Sequence, residues 1–155
     1  MAFADMKTWL VDKEHTEDNW IEAWPLIRKD TAAGHHAVEL KSVDEEHLVL
    51  AMEIDDGDRQ PMGLLHGGVS MMLAETAASM HSCWDLDLSE EFPVGIEING
   101  SHMRSATKGW VEARAQRLRK SSTLIHHRVE IVEQATERVL STIRVTNLIR
   151  RHRSE

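Results

Sequence analysis

The spacing of hydrophobic and polar positions changes several times along the chain, and each change predicts a new element. Residues 8–29 carry tryptophan, leucine and isoleucine among acidic residues at irregular helical spacing, which predicts one or two short helices. From residue 36 the period becomes two, and strands are predicted at 36–42 and 48–54 with a charged turn between them. From Val69 an apolar run with the period of a helix extends to Met80.

The second half of the chain predicts only strands. An acidic loop at 85–91, closed by Pro93, is followed by strand-like segments near 94–103, 110–119, 123–133 and 138–149, with turn-forming residues between them. Two strands, a helix and four further strands is the order of an α+β fold. We therefore expect an antiparallel sheet of about six strands wrapped around one long central helix.

The long helix carries one carboxylate beside its apolar face. Glu75 and Ser79 lie together on the flank of this helix, and no Lys or Arg occurs between Gln60 and Arg104 to pair with Glu75 at helical spacing. We therefore expect Glu75 to be partly desolvated, which suits a carboxylate to the role of general base. At about 100° per residue the apolar face itself consists of Val69, Met72, Leu73, Thr76, Ala77 and Met80.

The glycine-containing loop before this helix provides a second set of candidate groups. The Gly67-Gly68 pair lets the backbone approach a ligand closely. The first N–H groups of a helix have no intrahelical acceptor and carry the positive end of the helix dipole, so the Gly67 N–H can bind a polarised carbonyl oxygen. His66 and Gln60 lie just upstream, where they can orient an acyl group or a water. For His66 the alternative is a structural histidine bonded to a backbone carbonyl.

Composition and charge narrow the function classes. The 155 residues, 41% apolar and 28% charged, predict one globular domain over 1–155: a helical segment at 1–34, a core at 35–149 and a basic tail at 150–155. A net charge of −8 argues against nucleic acid or an anionic membrane as a partner. A single cysteine, Cys83, excludes an internal disulfide, and without a signal-like apolar run we expect a cytoplasmic protein.

Metal and nucleotide chemistry find little support. The acidic segment 55–58 lacks the glutamate that completes a calcium-binding EF-hand loop, so it predicts a solvated turn. The pairs His35-His36 and His126-His127 are adjacent, and a strand would direct the two members of each pair to opposite faces. Neither a phosphate-binding glycine loop nor a serine elbow is present. We expect no metal and no cofactor.

The motif formed by the loop and the helix resembles that of a known family. It consists of Gln60, then His66-Gly67-Gly68 six residues later, then Glu75 nine residues after the histidine and Ser79 four residues after the glutamate. This pattern is similar to that of the hotdog-fold acyl-CoA thioesterases, in the branch of the aryl-CoA and phenylacetate-pathway enzymes such as 4-hydroxybenzoyl-CoA thioesterase. The resemblance covers about residues 35–149 and implies that the sheet and helix form a hotdog fold.

The resemblance also implies an activity and a role for each motif residue. Coenzyme A would be part of the substrate, and the acyl group would be aromatic or of short to medium chain length. The Gly67 N–H would bind the thioester carbonyl, and Glu75 would attack it or activate a water, which the sequence does not distinguish. His66, Gln60 and Ser79 would orient the reacting groups. Four apolar residues near the motif suit the lining of an acyl pocket; the alternative is that they are ordinary residues of the hydrophobic core. They are Met62, Met71, Met72 and Trp84.

By position, the resemblance assigns contacts with the nucleotide end of CoA to His102, Arg104, Lys120 and Ser121. Each of them is also a plausible surface residue. Gly67 and Glu75 are eight residues apart, about 12 Å along a helix, which is too far for both to act on one carbonyl. The distance and the family together imply a homodimer with active sites at its interface, assembled further into a homotetramer.

Two alternatives to hydrolysis remain open. A hotdog dehydratase or hydratase acting on hydroxyacyl or enoyl thioesters would also use a histidine and a helix carboxylate. A non-catalytic acyl-CoA binding module would need only the pocket. The His-Gly-Gly sequence with a glutamate nine residues after the histidine favours hydrolysis.

Overall fold

A computed structural model of the protein describes residues 14–84 and 86–152. The first half of the chain forms helices α1 (Glu17–Ile27) and α2 (Ala32–His35), strands β1 (Glu39–Val43) and β2 (His47–Ile54), a short 3-10 turn (Asp56–Asp58) and helix α3 (Gly67–Trp84). The second half forms strands β3 (Glu91–His102), β4 (Gly109–Lys120), β5 (Leu124–Glu133) and β6 (Arg138–Arg151).

The strands form one antiparallel sheet in the order β1-β2-β4-β5-β6-β3, and α3 lies across its inner face. Alternate residues of the central strands point towards α3 and are buried, as Val111, Ala113 and Ala115 are on β4. This confirms the predicted α+β architecture of six antiparallel strands around a long helix. The edges of the sheet are the short β1 and the twelve-residue β3.

The buried face of α3 differs from the predicted one. Val69, Met72 and Thr76 are only half-buried, whereas Ala74 and Ala78 are fully buried. Small side chains allow the helix backbone to lie close to the sheet, and a pattern based on hydrophobicity alone does not include this effect of size. The side of α3 that carries Met71, Met72 and Glu75 is left open.

The tryptophans of the first helix belong to the core. Trp20 and Trp24 are buried, and Trp24 Nε1 donates a hydrogen bond of 2.8 Å to the Val38 carbonyl. Trp9 and Leu10 lie outside the described residues. Trp84, predicted to lie near the motif, instead packs against Trp20 at the far end of α3, with ring centroids 5.3 Å apart.

Three predicted boundaries are wrong. β1 begins at Glu39 because the chain turns just before it, where Ala37 has φ of 49°. Pro93 does not close a loop but lies within β3, which begins at Glu91; β3 is an edge strand, where proline is tolerated. β6 continues to Arg151, so the predicted basic tail begins inside the sheet.

A buried histidine pair lies beneath the C-terminal part of α3. His81 Nδ1 and His127 Nε2 are 2.9 Å apart, and His81 Nε2 lies 3.1 Å from the Asp44 carbonyl oxygen. Burial lowers the pKa of both imidazoles, and the positive charge of Arg117 acts in the same direction. The pKa of His127 falls to about 3. Both rings are therefore neutral at neutral pH.

We expect this pair to make the protein less stable as the pH falls from 7.5 to 5.5. The unfolded chain takes up a proton at His127 near its ordinary pKa of 6.5, whereas the folded chain does so only near 3. The stability that comes from the low pKa of folded His127 is present above pH 6.5 and is lost below it. Between pH 7.5 and 5.5 the loss for His127 alone is on the order of 1 kcal/mol. His81 adds to the loss. Urea unfolding at pH 7.5 and at pH 5.5 measures the change in the free energy of unfolding.

His127→Leu should show a weaker dependence of stability on pH than the wild type. His35→Gln, which removes an exposed histidine at the end of α2, is the matched control and should keep the wild-type dependence. An unchanged pH dependence in His127→Leu would contradict the assignment.

Candidate active site

A cavity of about 380 Å³ lies at the N-terminus of α3. It brings together four of the predicted site residues, Gln60, Gly67, His102 and Arg104, with Ser141 of β6 beside them. The cavity is built by the loop before α3, the first turn of α3 and the connection between β3 and β4. Two of the motif residues, Gln60 and Gly67, and half of the predicted CoA contacts therefore share one site.

The loop before α3 is fixed by a buried carboxylate. Asp58 is paired with His36 Nδ1 through one oxygen and accepts the Asp55 N–H at 2.9 Å through the other. Its backbone carbonyl accepts the His66 N–H at 2.8 Å, which places the start of α3. The prediction of a solvated turn at 55–58 is thus wrong for Asp58, because these partners compensate the cost of burying its charge.

His66 caps α3 and leaves one backbone donor available. Its Nδ1 accepts the Gly68 N–H at 2.8 Å, so the proton of the neutral ring lies on Nε2, on an exposed side chain. Its carbonyl accepts the N–H groups of Val69 and Ser70. Among the described residues the Gly67 N–H has no acceptor, and Gly67 lines the cavity. This is the free donor that the sequence predicted.

The Gln60 side chain is oriented by its own turn. Its Oε1 accepts the Met62 N–H, while its backbone N–H donates to the Leu64 carbonyl at 2.8 Å. The amide NH₂ of Gln60 is left as a donor on the wall of the cavity.

His102 approaches the helix start closely. Its Nδ1 lies 2.8 Å from the hydroxyl of the buried Ser141, and its Nε2 would lie only 2.7 Å from a Cβ at Gly67. Arg104 brings a positive charge to the cavity and donates to the Val139 carbonyl at 2.9 Å. Sequence reasoning missed Ser141, because a lone serine within a strand carries no local signal.

Glu75 and Ser79 lie at a different place, near the middle of α3. Glu75 is exposed, which contradicts the expected desolvation, because the open side of α3 has no cover within the described chain. Its carboxylate rests against Gly95 of β3, and the Ser79 hydroxyl accepts a hydrogen bond of 2.9 Å from Asn147 of β6.

Lys120 and Ser121 belong to this second place. Lys120 pairs with Ile125, which lies opposite Asn147, about 20 Å along β6 from Ser141. Burial lowers the pKa of Lys120. The Ser121 hydroxyl holds the β4–β5 turn, donating to the Leu124 carbonyl at 3.1 Å. Within one chain the predicted CoA contacts therefore do not converge.

Other chemistry has little support in the described part of the chain. Three or more metal-ligating side chains do not cluster anywhere in it. His126 and His127 point to opposite faces of β5 as predicted, whereas His35 and His36 end a short helix rather than lying in a strand. Burial raises the pKa of the Cys83 thiol to about 12, so it is unreactive. In residues 14–84 and 86–152, every helix is too short or too polar to span a bilayer.

Comparison with known proteins gives consistent matches. The family model described as "Thioesterase superfamily" matches residues 62–140, more than half of the chain. A 1,4-dihydroxy-2-naphthoyl-CoA hydrolase of Listeria monocytogenes is 33% identical over 116 residues, 75% of this chain and 93% of that protein. The Escherichia coli protein of the same name is 31% identical, over 74% and 83% of the two chains. The crystal structure of a mutant thioesterase from Pseudomonas aeruginosa superposes with a TM-score of 0.81 at 27% identity, covering 85% and 94%.

Proposed function

The chain belongs to the thioesterase superfamily and is a hydrolase of CoA thioesters, and from that premise we propose that its substrate is an aryl-CoA or a short- to medium-chain acyl-CoA. The acid and free coenzyme A are the products. The aryl preference is supported by the two relatives named as naphthoyl-CoA hydrolases. Met71 and Met72, half-buried on the open side of α3, offer a flexible apolar surface for the acyl group.

The observation that carries the proposal is the cavity at the helix start. Gly67, whose backbone N–H is unbonded at the positive end of an 18-residue helix, lines a cavity that also holds Arg104, Gln60 and His102. Such a donor stabilises the negative charge that develops on a thioester oxygen during attack. Coenzyme A carries phosphates, and arginine meets phosphate with paired hydrogen bonds.

In the proposed reaction the Gly67 N–H holds the thioester carbonyl oxygen. Glu75 adds to the carbonyl carbon, or takes a proton from a water that adds instead. The tetrahedral intermediate then collapses, the carbon–sulfur bond breaks and coenzyme A leaves as a thiolate that takes up a proton. When Glu75 itself adds, water cleaves the resulting anhydride. His66 and Gln60 orient the thioester, and Ser79 donates to the carboxylate or to the water.

We propose that each site combines the cavity of one chain with Glu75 of a second copy. Three features of the described residues support this assembly. The donor and the carboxylate are about 12 Å apart along α3, the side of α3 that bears Glu75 is open, and β3 is a long unpaired edge. Unpaired edges of this length are surfaces for pairing with another strand. A two-fold axis beside β3 would create two equivalent sites. Pairing of such dimers into a homotetramer stays a prediction, measurable by light scattering.

Thiol release from a panel of acyl-CoAs tests the proposed function. The panel includes benzoyl-, phenylacetyl- and 1,4-dihydroxy-2-naphthoyl-CoA, straight-chain acyl-CoAs of increasing length and an enoyl-CoA. We expect the highest kcat/KM for aryl or short to medium acyl groups. Confinement to long fatty chains would refute the aryl assignment. Hydration of the enoyl-CoA without thiol release would indicate a hydratase. Tight binding of an acyl-CoA without any turnover would indicate a non-catalytic binding module.

Arg104→Ala should raise KM more than it lowers kcat. Arg104 contributes charge to the cavity wall and is proposed to contact the nucleotide end of CoA rather than the reacting carbonyl, so its loss should weaken binding of substrate and transition state equally. Arg128→Ala, which removes an arginine from the exposed outer face of β5, is the matched control and should leave both constants unchanged. An unchanged KM in Arg104→Ala would remove Arg104 from the substrate site.

A further inference from the structure

We propose that Gly95 and Asn147 are positioning residues that hold Glu75 and Ser79 in register for the reaction. The two lie directly opposite each other on β3 and β6. Each contacts one member of the Glu75–Ser79 pair, and those two residues are one turn apart on α3. One cross-strand pair thus fixes α3 at two points. The inference rests on the proposed function, since it assigns no chemistry to either residue.

Gly95 gives the Glu75 carboxylate its place. A Cβ at position 95 would lie 2.5 Å from Glu75 Oε1 and 3.6 Å from its Cδ. The φ angle of Gly95 is not in the positive region, so the backbone itself does not require glycine there. The requirement is space, and any larger residue must displace the carboxylate.

A bulge lies beside this contact. The pairing of β3 with β6 shifts between Gly95 and Glu97, so Ile96 has no partner on β6 and its side chain is 54% exposed. Bulges bend a strand and often redirect backbone next to active sites. Here the bulge begins at the residue that receives the carboxylate.

Asn147 determines how the Ser79 hydroxyl is used. Asn147 is completely buried, and its Nδ2 donates to Ser79 Oγ at 2.9 Å. Because Ser79 accepts this bond, its own hydrogen is left to donate on the open side of α3, where Glu75 lies. Asn147 Oδ1 has no partner among the described residues, a cost that an apolar side chain would avoid. An asparagine here is explained by its effect on Ser79 rather than by core stability.

Gly95→Ala tests the first contact. The added methyl should displace the carboxylate and lower kcat at least ~10-fold with little change in KM, since small misplacements of a reacting group carry large costs in rate. In a Glu75→Asp background the shorter side chain withdraws from position 95, and the same change should cost less than about threefold. Ser101→Ala, on the same strand, is the control and should leave kcat unchanged. If Gly95→Ala lowers kcat equally in the wild-type and Glu75→Asp backgrounds, the cause is folding or assembly, and the assignment of Gly95 is overturned.

Asn147→Leu tests the second contact, because it removes the donor without leaving a polar atom buried. We expect thermal stability to be kept or raised while kcat falls severalfold, and no further fall in a Ser79→Ala background. Lower stability with unchanged kcat would make Asn147 a structural residue and overturn its assignment.

These outcomes separate the inference from the proposed function. Full turnover in Glu75→Gln would overturn both, because no catalytic carboxylate would remain to be positioned. Loss of turnover in Glu75→Gln with normal rates in Gly95→Ala and Asn147→Leu would overturn only the positioning roles.

Discussion

Glu75→Gln should reduce kcat by at least ~10² and leave KM nearly unchanged. The amide has almost the same shape as the carboxylate and fits the same space against Gly95. It cannot remove a proton from water or act as a nucleophile. Its neighbours one turn away on α3 are Met71, Met72 and Ser79, and no described cation pairs with it, so the fold should be unaffected. Steady-state thiol release on the best substrate of the panel measures both constants.

Glu53→Gln is the matched control, because it neutralises another exposed carboxylate, which lies on β2, outside the cavity at the start of α3 and away from the Glu75–Ser79 pair in sequence. It should keep wild-type rates. If a folded Glu75→Gln protein kept most of its turnover, this would falsify the mechanism. The family assignment would stand, since it does not depend on this residue.

The fold was predictable because the period of the hydrophobic pattern changes where the elements change. The switch from period two to a helical period at the glycine pair places α3, and the four later segments place β3 to β6. The boundaries were less predictable, since they depend on tertiary context. Pro93 signals a loop in isolation, yet lies in a strand because that strand is at the edge of the sheet.

The residues themselves predicted the site only where they are close in sequence, and His102 and Arg104 were assigned through the resemblance to the family. Gln60, Gly67 and Glu75 belong to one continuous motif with fixed spacing. The register of β6 brings Ser141 to His102 and Asn147 to Ser79, and nothing near these two residues in sequence indicates this. The exposure of Glu75 could not be read from its apolar neighbours, because the sheet covers the other side of the helix.

Two inactive variants should restore activity when their subunits are mixed. Gly67→Pro removes the N–H donor at the first residue of α3, a position where a helix tolerates proline. We expect its kcat to fall by about 10²–10³, as for other lost oxyanion donors. Gly67→Ala is the matched control, because it brings the same Cβ against His102 but keeps the N–H. It should retain much more activity than Gly67→Pro.

In a mixed dimer of Gly67→Pro and Glu75→Gln chains, one site receives both substitutions and the other receives neither. Random exchange of equal amounts makes half of the dimers mixed, and one of two sites is intact in each, so activity should return to about a quarter of wild type. Fluorescence energy transfer between labelled subunits confirms the exchange, and circular dichroism confirms the fold of each variant. Exchange without recovery would mean that the donor and the carboxylate do not meet across an interface. A catalytic Glu75 would then have to act without the Gly67 donor, because about 12 Å of helix separates the two within one chain.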